Sequence, residues 1–513
     1  MATKTLVTTQ TKTGTPHALR GLRWRTALLW SVALALLVIG LWMRLHDLGL
    51  PFDRDGYDEG VYWQSLRAMS AGHPLYQQTF YSQPPIFLLS IYPVYMAFGH
   101  TLWSARLGIA IMSLFGLVGA LLLGKALAGR IGAIAALLLL IVDPLYLAQS
   151  QTIQAEAPSA ALSLLAVGLA YLWWERPEGF AGFCFAVLTA VSLVLSIFSK
   201  LLGVSALVPV ALLMLAHIWR ILNKPRGMRL SSAYPLFAGI AAFIVTTVLV
   251  LLPFAGSWSQ LWQSMVTFHT TAQVFFKNTQ AGNLSIMRPL FFSITAIVAL
   301  YGTIAALLRR DWRVLPLIAW LLATAWMLWT TVPLFHHHLV ALIPPFIALE
   351  VMGIGPIRWQ KTPAALLSSI TSAIALIFIL VSVLLNAQGV QRYYRVERAQ
   401  AAADYAGQQK VVKDLRAGVQ PGQLVITDAQ FLAGLADRST PAALVDTSIV
   451  RIDTGYVTSR QLIQEASQPR VRAVLFYTGR LNLKSTAAFH AWVTRHFRLA
   501  HTYGNGKELW IRL

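Results

Sequence analysis

The 513-residue chain holds one cysteine, Cys184, and only 20 acidic residues against 41 lysines and arginines. A single cysteine excludes an intrachain disulfide, and its place within an apolar run gives it a packing role. Charged residues make up 12% of the chain and hydrophobic residues 56%, a balance that excludes an ordinary water-soluble globular protein. No Rossmann-type glycine fingerprint occurs, and the C-terminal segment has neither a glycine-rich phosphate loop nor a nucleophile motif. The first apolar run lacks a small-residue cleavage pattern and is expected to stay as an anchor.

Long apolar runs are abundant instead. Eleven are long enough to cross a hydrocarbon core, at 26–43, 105–124, 131–148, 158–174, 181–198, 201–219, 234–254, 289–308, 314–331, 334–352 and 364–385. The expectation is an α-helical polytopic membrane protein with about 11–13 transmembrane helices. The net charge of +21 gathers in alternate loops: Lys4 to Arg25, Lys125 with Arg130, Arg220 to Arg229, Arg309 to Arg313, and Arg358 with Lys361. That distribution is a topology signal rather than a nucleic-acid surface, and it places the N-terminal segment 1–25 in the cytoplasm.

The apolar stretch 84–99 is short and contains Pro93. Counting it as a crossing would turn every later basic loop outward. It is therefore read as an interfacial or re-entrant helix within a first outer loop, 44–104. A second outer loop spans 255–288. The membrane domain covers 26–390, and 391–513 is expected to be an extracytoplasmic α/β domain, with strands at 423–428, 471–477, 498–503 and 508–513. Helices are expected there over 396–416, 458–467 and 486–496, and a binding or structural role is assigned to the domain.

With this topology the scarce ionisable residues meet on one face, where they signal a functional site. "DRDGYDEGVYW" places Asp53, Asp55, Asp58 and Glu59 within seven positions. Asp58 and Glu59 are candidates for general-base work or for holding a divalent cation, whereas Asp53 and Asp55 read as solvated loop charges. Glu156 opens a span, where helping the helix dipole is the competing account. Lys200 interrupts two apolar runs and offers a point charge for a lipid-linked phosphate; a snorkelling lysine is the alternative. Arg106 stands at the mouth of a span, within reach of the acidic loop or the same phosphate. His336, His337 and His338 cannot all face one ion from a helix, so one of them contacting phosphate or sugar is the sharper reading. His269, Asp58 and Glu156 are the candidate metal ligands, and a divalent ion is an open cofactor.

The order of motifs resembles a known group. An acidic "DE" follows the first span, then come "SQPPIFLL", "SARL", "LAQSQTIQAEAP", "FSK" and "HHLVALIPPF". This is similar to the membrane glycosyltransferases with the C-type fold, in particular the dolichyl-phosphate-mannose–protein mannosyltransferases and the bacterial aminoarabinose transferases acting on lipid A. The resemblance implies Asp58 as catalytic base with Glu59 as its acidic neighbour. It implies Lys200 on the donor phosphate, and it matches Arg106 to the arginine that opens the next span and Glu156 to a second acidic position. Alongside it, Arg106 is assigned to the donor phosphate, and Glu156, His337, His338 and Gln83 to substrate. Ser82 and Gln83 depart from the His or Glu-Lys that related enzymes often carry before the Pro-Pro pair. His337 and Ala341 stand where many relatives have arginine and proline.

The function so implied is transfer of a sugar from a polyprenyl-phosphate donor to an acceptor hydroxyl, with inversion, at the outer face of the cell membrane. The acceptor is a lipid, glycan or protein, and nucleic acid is not a partner. A lipid-linked sugar flippase or other transporter is the rival, but no repeated halves are visible. A non-catalytic receptor using the α/β tail is a second rival.

Overall fold

A computed structural model describes residues 16–355 and 362–513. Lys4, Lys12, Arg358 and Lys361 of the basic loops lie outside the described residues. Among those described, seven helices are long and apolar enough to cross a membrane. The four other expected spans are present in different forms. Those at 314–331 and 334–352 are the shorter helices Val314–Thr330 and His336–Met352. The one at 289–308 belongs to a pair, Lys277–Phe291 and Ile294–Leu308, bent by 76°.

The fourth is hidden in a 41-residue helical stretch, Leu102–Val142, which breaks at Ala128 and at Gly129 with φ +66°. A Cβ on Gly132 would lie 2.4 Å from the Gly124 carbonyl oxygen. In a straight helix residues eight apart are separated by about 12 Å. The stretch is therefore a hairpin of two antiparallel helices, closed by a left-handed glycine and by small residues that let the backbones touch.

The Pro93 segment forms Ile86–Ala97, 12 residues long. At about 1.5 Å per residue it cannot span about 30 Å of hydrocarbon. It buries Phe87, Leu88, Ile91 and Tyr95, and Gly108 of the hairpin would have no room for a Cβ beside Ile91. The expected loop 255–288 is instead a chain of short helices between Leu252 and Phe291.

The helices expected at 364–385 and 396–416 are one continuous helix, Pro363–Gly418. It begins with a Thr362 cap and Pro at its first turn, and its far end packs Val411, Val412 and Leu415 under the sheet. That four-stranded sheet has β1 (Leu424–Thr427) parallel to β2 (Val471–Phe476), with β4 (Glu508–Arg512) and β3 (Phe497–Thr502) antiparallel beyond it.

This small domain sits on the first-loop helix Asp58–Ser70. Gly60 and Gly434 let the backbones close: a Cβ on Gly60 would fall 2.5 Å from the Phe431 nitrogen, and one on Gly434 would fall 2.6 Å from the Trp63 ring. Gln64 donates to the Gln430 and Arg438 carbonyls and accepts from Thr440 N–H. Arg67 pairs with Asp437 at 2.9 Å. The helix that carries Asp58 is thus clamped by the C-terminal domain.

Candidate active site

The acidic loop is built by its own side chains. Asp53 Oδ1 accepts the N–H groups of Asp55 and Gly56, at 3.1 and 2.9 Å, and Gly56 supplies the left-handed turn at φ +85°. Burial, with the charges of Glu59 and Asp55, holds the Asp53 carboxyl well above the usual carboxylate range. Asp53 therefore shapes the turn and is not a freely solvated charge.

Glu59 and Arg106 are both fully buried and bonded to each other at 2.7 and 2.8 Å. The remaining lone pairs of Glu59 accept Arg54 N–H and Ile153 N–H. The remaining donors of Arg106 go to the carbonyls of Leu48, Leu50 and Phe52. All five guanidinium N–H groups are used, so none remains for a phosphate. The pair ties the acidic loop to the hairpin, and the geometry replaces the expected phosphate role of Arg106 and catalytic role of Glu59 with a structural one.

Asp55, in the loop before the helix, and Asp58, its first residue, line a cavity of about 850 Å³. Lys200, Gln83, His269, His337 and His338 line it too. Asp55 Oδ1 lies 2.8 Å from His337 Nδ1. Burial pushes the Asp55 carboxyl up, but the hydrogen bond and charge of His337 outweigh it and hold the carboxyl below its ordinary value. Asp55, expected to be a solvated charge, is an ion-pair partner in the cavity wall. Asp58 differs: burial first, then the charge of Asp55, raises its carboxyl to about 7, against the opposing pull of His337 and Lys200.

Lys200 lies just before the short helix Leu201–Ala206, and its ammonium is 2.7 Å from Glu156 Oε1. Ser159 and Ser163 hold the turn below it through Ser196. His337 Nε2 and His338 Nε2 approach the same Glu156 oxygen at 3.7 and 3.6 Å. Glu156, His337 and His338 bring one ligand atom each within 4.8 Å of one another, a group that could hold a metal ion. Asp58 and His269, expected among the ligands, are not in it; His269 Nε2 lies 2.7 Å from the Ser82 carbonyl oxygen. Of the three histidines, His336 lines the cavity but stays outside the Glu156 group.

Three further residues of the cavity wall carry no signal in the sequence. Tyr57, Asp446 and Arg480 also line the cavity. The Tyr57 hydroxyl donates to Asp446 Oδ1 at 3.2 Å and accepts Thr447 N–H at 2.9 Å. Positions 57 and 446 are joined only by the docking of the C-terminal domain, which no local pattern announces.

Residues 62–272 match the family described as dolichyl-phosphate-mannose-protein mannosyltransferase. The matched segment holds Arg106, Glu156, Lys200 and His269 and starts four residues beyond Asp58. No curated protein sequence matches. Among solved structures, the crystal structure of ArnT from Cupriavidus metallidurans bound to undecaprenyl phosphate is 14% identical, with a TM-score of 0.59 over 95% of this chain and 98% of that one. The same protein in the apo state gives 13% identity and a TM-score of 0.55, over 96% and 98%. The described residues share the ArnT fold across both the membrane and the C-terminal domain.

Proposed function

We propose that this chain, a membrane glycosyltransferase by its family match and its ArnT-like fold, moves a sugar from a polyprenyl-phosphate donor to an acceptor hydroxyl, with Asp58 as general base. The observation that carries the reading is that Asp58 and Lys200 line one cavity beside the apolar spans, so base and phosphate-binding cation face a common space.

In this mechanism the donor phosphate meets the Lys200 ammonium, which shifts its charge from Glu156 toward the phosphate. The acceptor hydroxyl gives its proton to an Asp58 oxygen as its own oxygen bonds to the anomeric carbon. The bond from that carbon to the phosphate oxygen breaks, and polyprenyl phosphate leaves with the electron pair. Lys200 stabilises the charge that grows on it. One displacement inverts the anomeric carbon. A carboxyl raised toward neutrality suits a base that must accept a proton and later release it.

A divalent ion held by Glu156, His337 and His338 would supply positive charge beside the leaving phosphate. Glu and two His are a donor set that zinc accepts, and Asp55 on His337 Nδ1 is the kind of partner that orients a ligating imidazole. Lys200 already pairs with Glu156 Oε1 at 2.7 Å, so such an ion would compete with the ammonium there or take the other carboxylate oxygen. His338 Nδ1 accepts Phe335 N–H at 3.3 Å, which in the neutral ring leaves its proton on the nitrogen facing Glu156. The mechanism therefore rests on the chain's own charges.

We also read the site as extracytoplasmic, supported by the placement of the basic loops. The deciding experiment for function is donor turnover in detergent. A transporter has no membrane to cross there and would leave the sugar–phosphate bond intact.

A further inference from the structure

The C-terminal domain supplies one wall of the cavity, and two of its charged residues have no part in the mechanism above. Arg480 follows Gly479, whose left-handed φ of +86° turns the chain between β2 and the next helical turn. Its guanidinium centre lies 3.9 Å over the Tyr57 ring. Among the described residues it has neither a hydrogen bond nor an ion pair. The other arginines around the cavity are committed: Arg54 to Gln151, Tyr393 and the Asp47 carbonyl, and Arg451 to the carbonyls of Ala443 and Asp446. Asp446 is similarly half-committed. Its Oδ1 accepts from Tyr57 and from Ser448 N–H, while Oδ2 has no partner among the described residues.

A guanidinium stacked on an aromatic ring keeps its N–H edge available, and that planar fork suits a carboxylate or a phosphate better than a point charge does. The stacking also fixes the side chain before a ligand arrives, which lowers the entropy lost on binding. Position matters as much as chemistry. Tyr57, the platform, immediately precedes Asp58, so whatever Arg480 binds lies beside the base. Lys200 and the apolar spans are where a polyprenyl chain must enter. The acceptor must then extend into the part of the cavity walled by the other domain.

We propose that Tyr57, Asp446 and Arg480 form an acceptor subsite, in which Arg480 receives a phosphate or carboxylate of the acceptor and the free Asp446 oxygen accepts from a neighbouring hydroxyl. This rests on the transferase reading and adds to it the class of acceptor: a hydroxylated molecule bearing an anionic group.

The test uses full-length protein in detergent, polyprenyl-linked sugars extracted from the parent strain, and as acceptor probe an envelope extract from a strain lacking the gene. Undecaprenyl phosphate binding is measured alongside. Arg480→Gln is expected to keep undecaprenyl phosphate affinity within about twofold and to lose at least about tenfold in transfer at low extract concentration, with partial recovery at high extract and in Arg480→Lys. Pretreating the extract with phosphatase, or amidating its carboxyls, distinguishes the two anions; one treatment should lower wild-type transfer to the Arg480→Gln level. The proposal is overturned if neither treatment matters, if Arg480→Gln transfers as the wild type does, or if it loses undecaprenyl phosphate binding, which would place Arg480 on the donor. Absence of turnover by the wild type on every extract is a different result, and it would sink the transferase reading itself.

Discussion

Arg106 and Glu59 lie 47 residues apart in the chain and form a buried pair in which every guanidinium N–H and every carboxylate lone pair is satisfied. Removing either partner leaves an uncompensated buried charge, which costs about 3–5 kcal/mol. Arg106→Leu and Glu59→Gln should therefore lower the melting temperature in detergent sharply, and whatever protein folds should retain its donor Michaelis constant. A donor Michaelis constant that rises tenfold with no change in melting temperature would restore Arg106 to the phosphate.

The Asp58 carboxyl, at about 7, makes two pH predictions of opposite sign. Transfer by the wild type should rise with pH through about 7 as the base loses its proton, and that limb should disappear in Asp58→Asn. For stability, a folded value above the unfolded one near 3.8 means that the contribution is complete below about 4 and is lost as pH rises through about 7. Melting curves of wild type and Asp58→Asn should converge at low pH and separate near pH 8. A pH–rate limb that survives in Asp58→Asn belongs to another group.

Lys200→Ala should weaken use of the donor by about 1–3 kcal/mol, the worth of a charge-assisted contact, and leave acceptor dependence little changed. Steady-state kinetics with both substrates varied will show this; unchanged donor kinetics would remove Lys200 from the phosphate.

Gly60→Ala tests the clamp. A Cβ there meets the Phe431 nitrogen at 2.5 Å, a backbone atom that cannot swing aside. Overpacking of this kind costs about 1–3 kcal/mol, and here it separates the C-terminal domain from the Asp58 helix. Transfer should fall while undecaprenyl phosphate binding persists, and limited proteolysis between the domains should accelerate. Unaltered transfer would mean that the docking does not position Asp58.

Orientation can be read by labelling. Gln77→Cys and Arg498→Cys, both exposed, should react with an impermeant thiol reagent in intact cells, and Asn223→Cys should not. Cys184, half-buried within a span, serves as the background. Labelling of only one of the first two would contradict the topology.

The sequence was most legible where a feature is periodic or local. The four strands fall within a residue or so of the expected 423–428, 471–477, 498–503 and 508–513, because each alternates or runs apolar between turn residues. The short 84–99 segment was legible from its length, its Pro93 and the placement of the basic loops. The 102–142 hairpin, by contrast, hides its reversal in Ala128–Gly129, and the 363–418 helix crosses a change in composition without a break. In the site, residue types were readable but pairing was not. Glu59 and Asp58 are neighbours with like side chains, yet helical geometry sends one to Arg106 and the other to the cavity. Asp55 gained its role only from His337, 282 positions away.

The central claim is that Asp58 takes the acceptor's proton, and Asp58→Asn in purified protein tests it most directly. The amide keeps the shape of the carboxyl but cannot accept the proton at neutral pH. Undecaprenyl phosphate binding and the fold should be retained, and transfer should fall by roughly 10²–10⁴-fold, the usual worth of a positioned base. Near-normal transfer by Asp58→Asn would contradict the account.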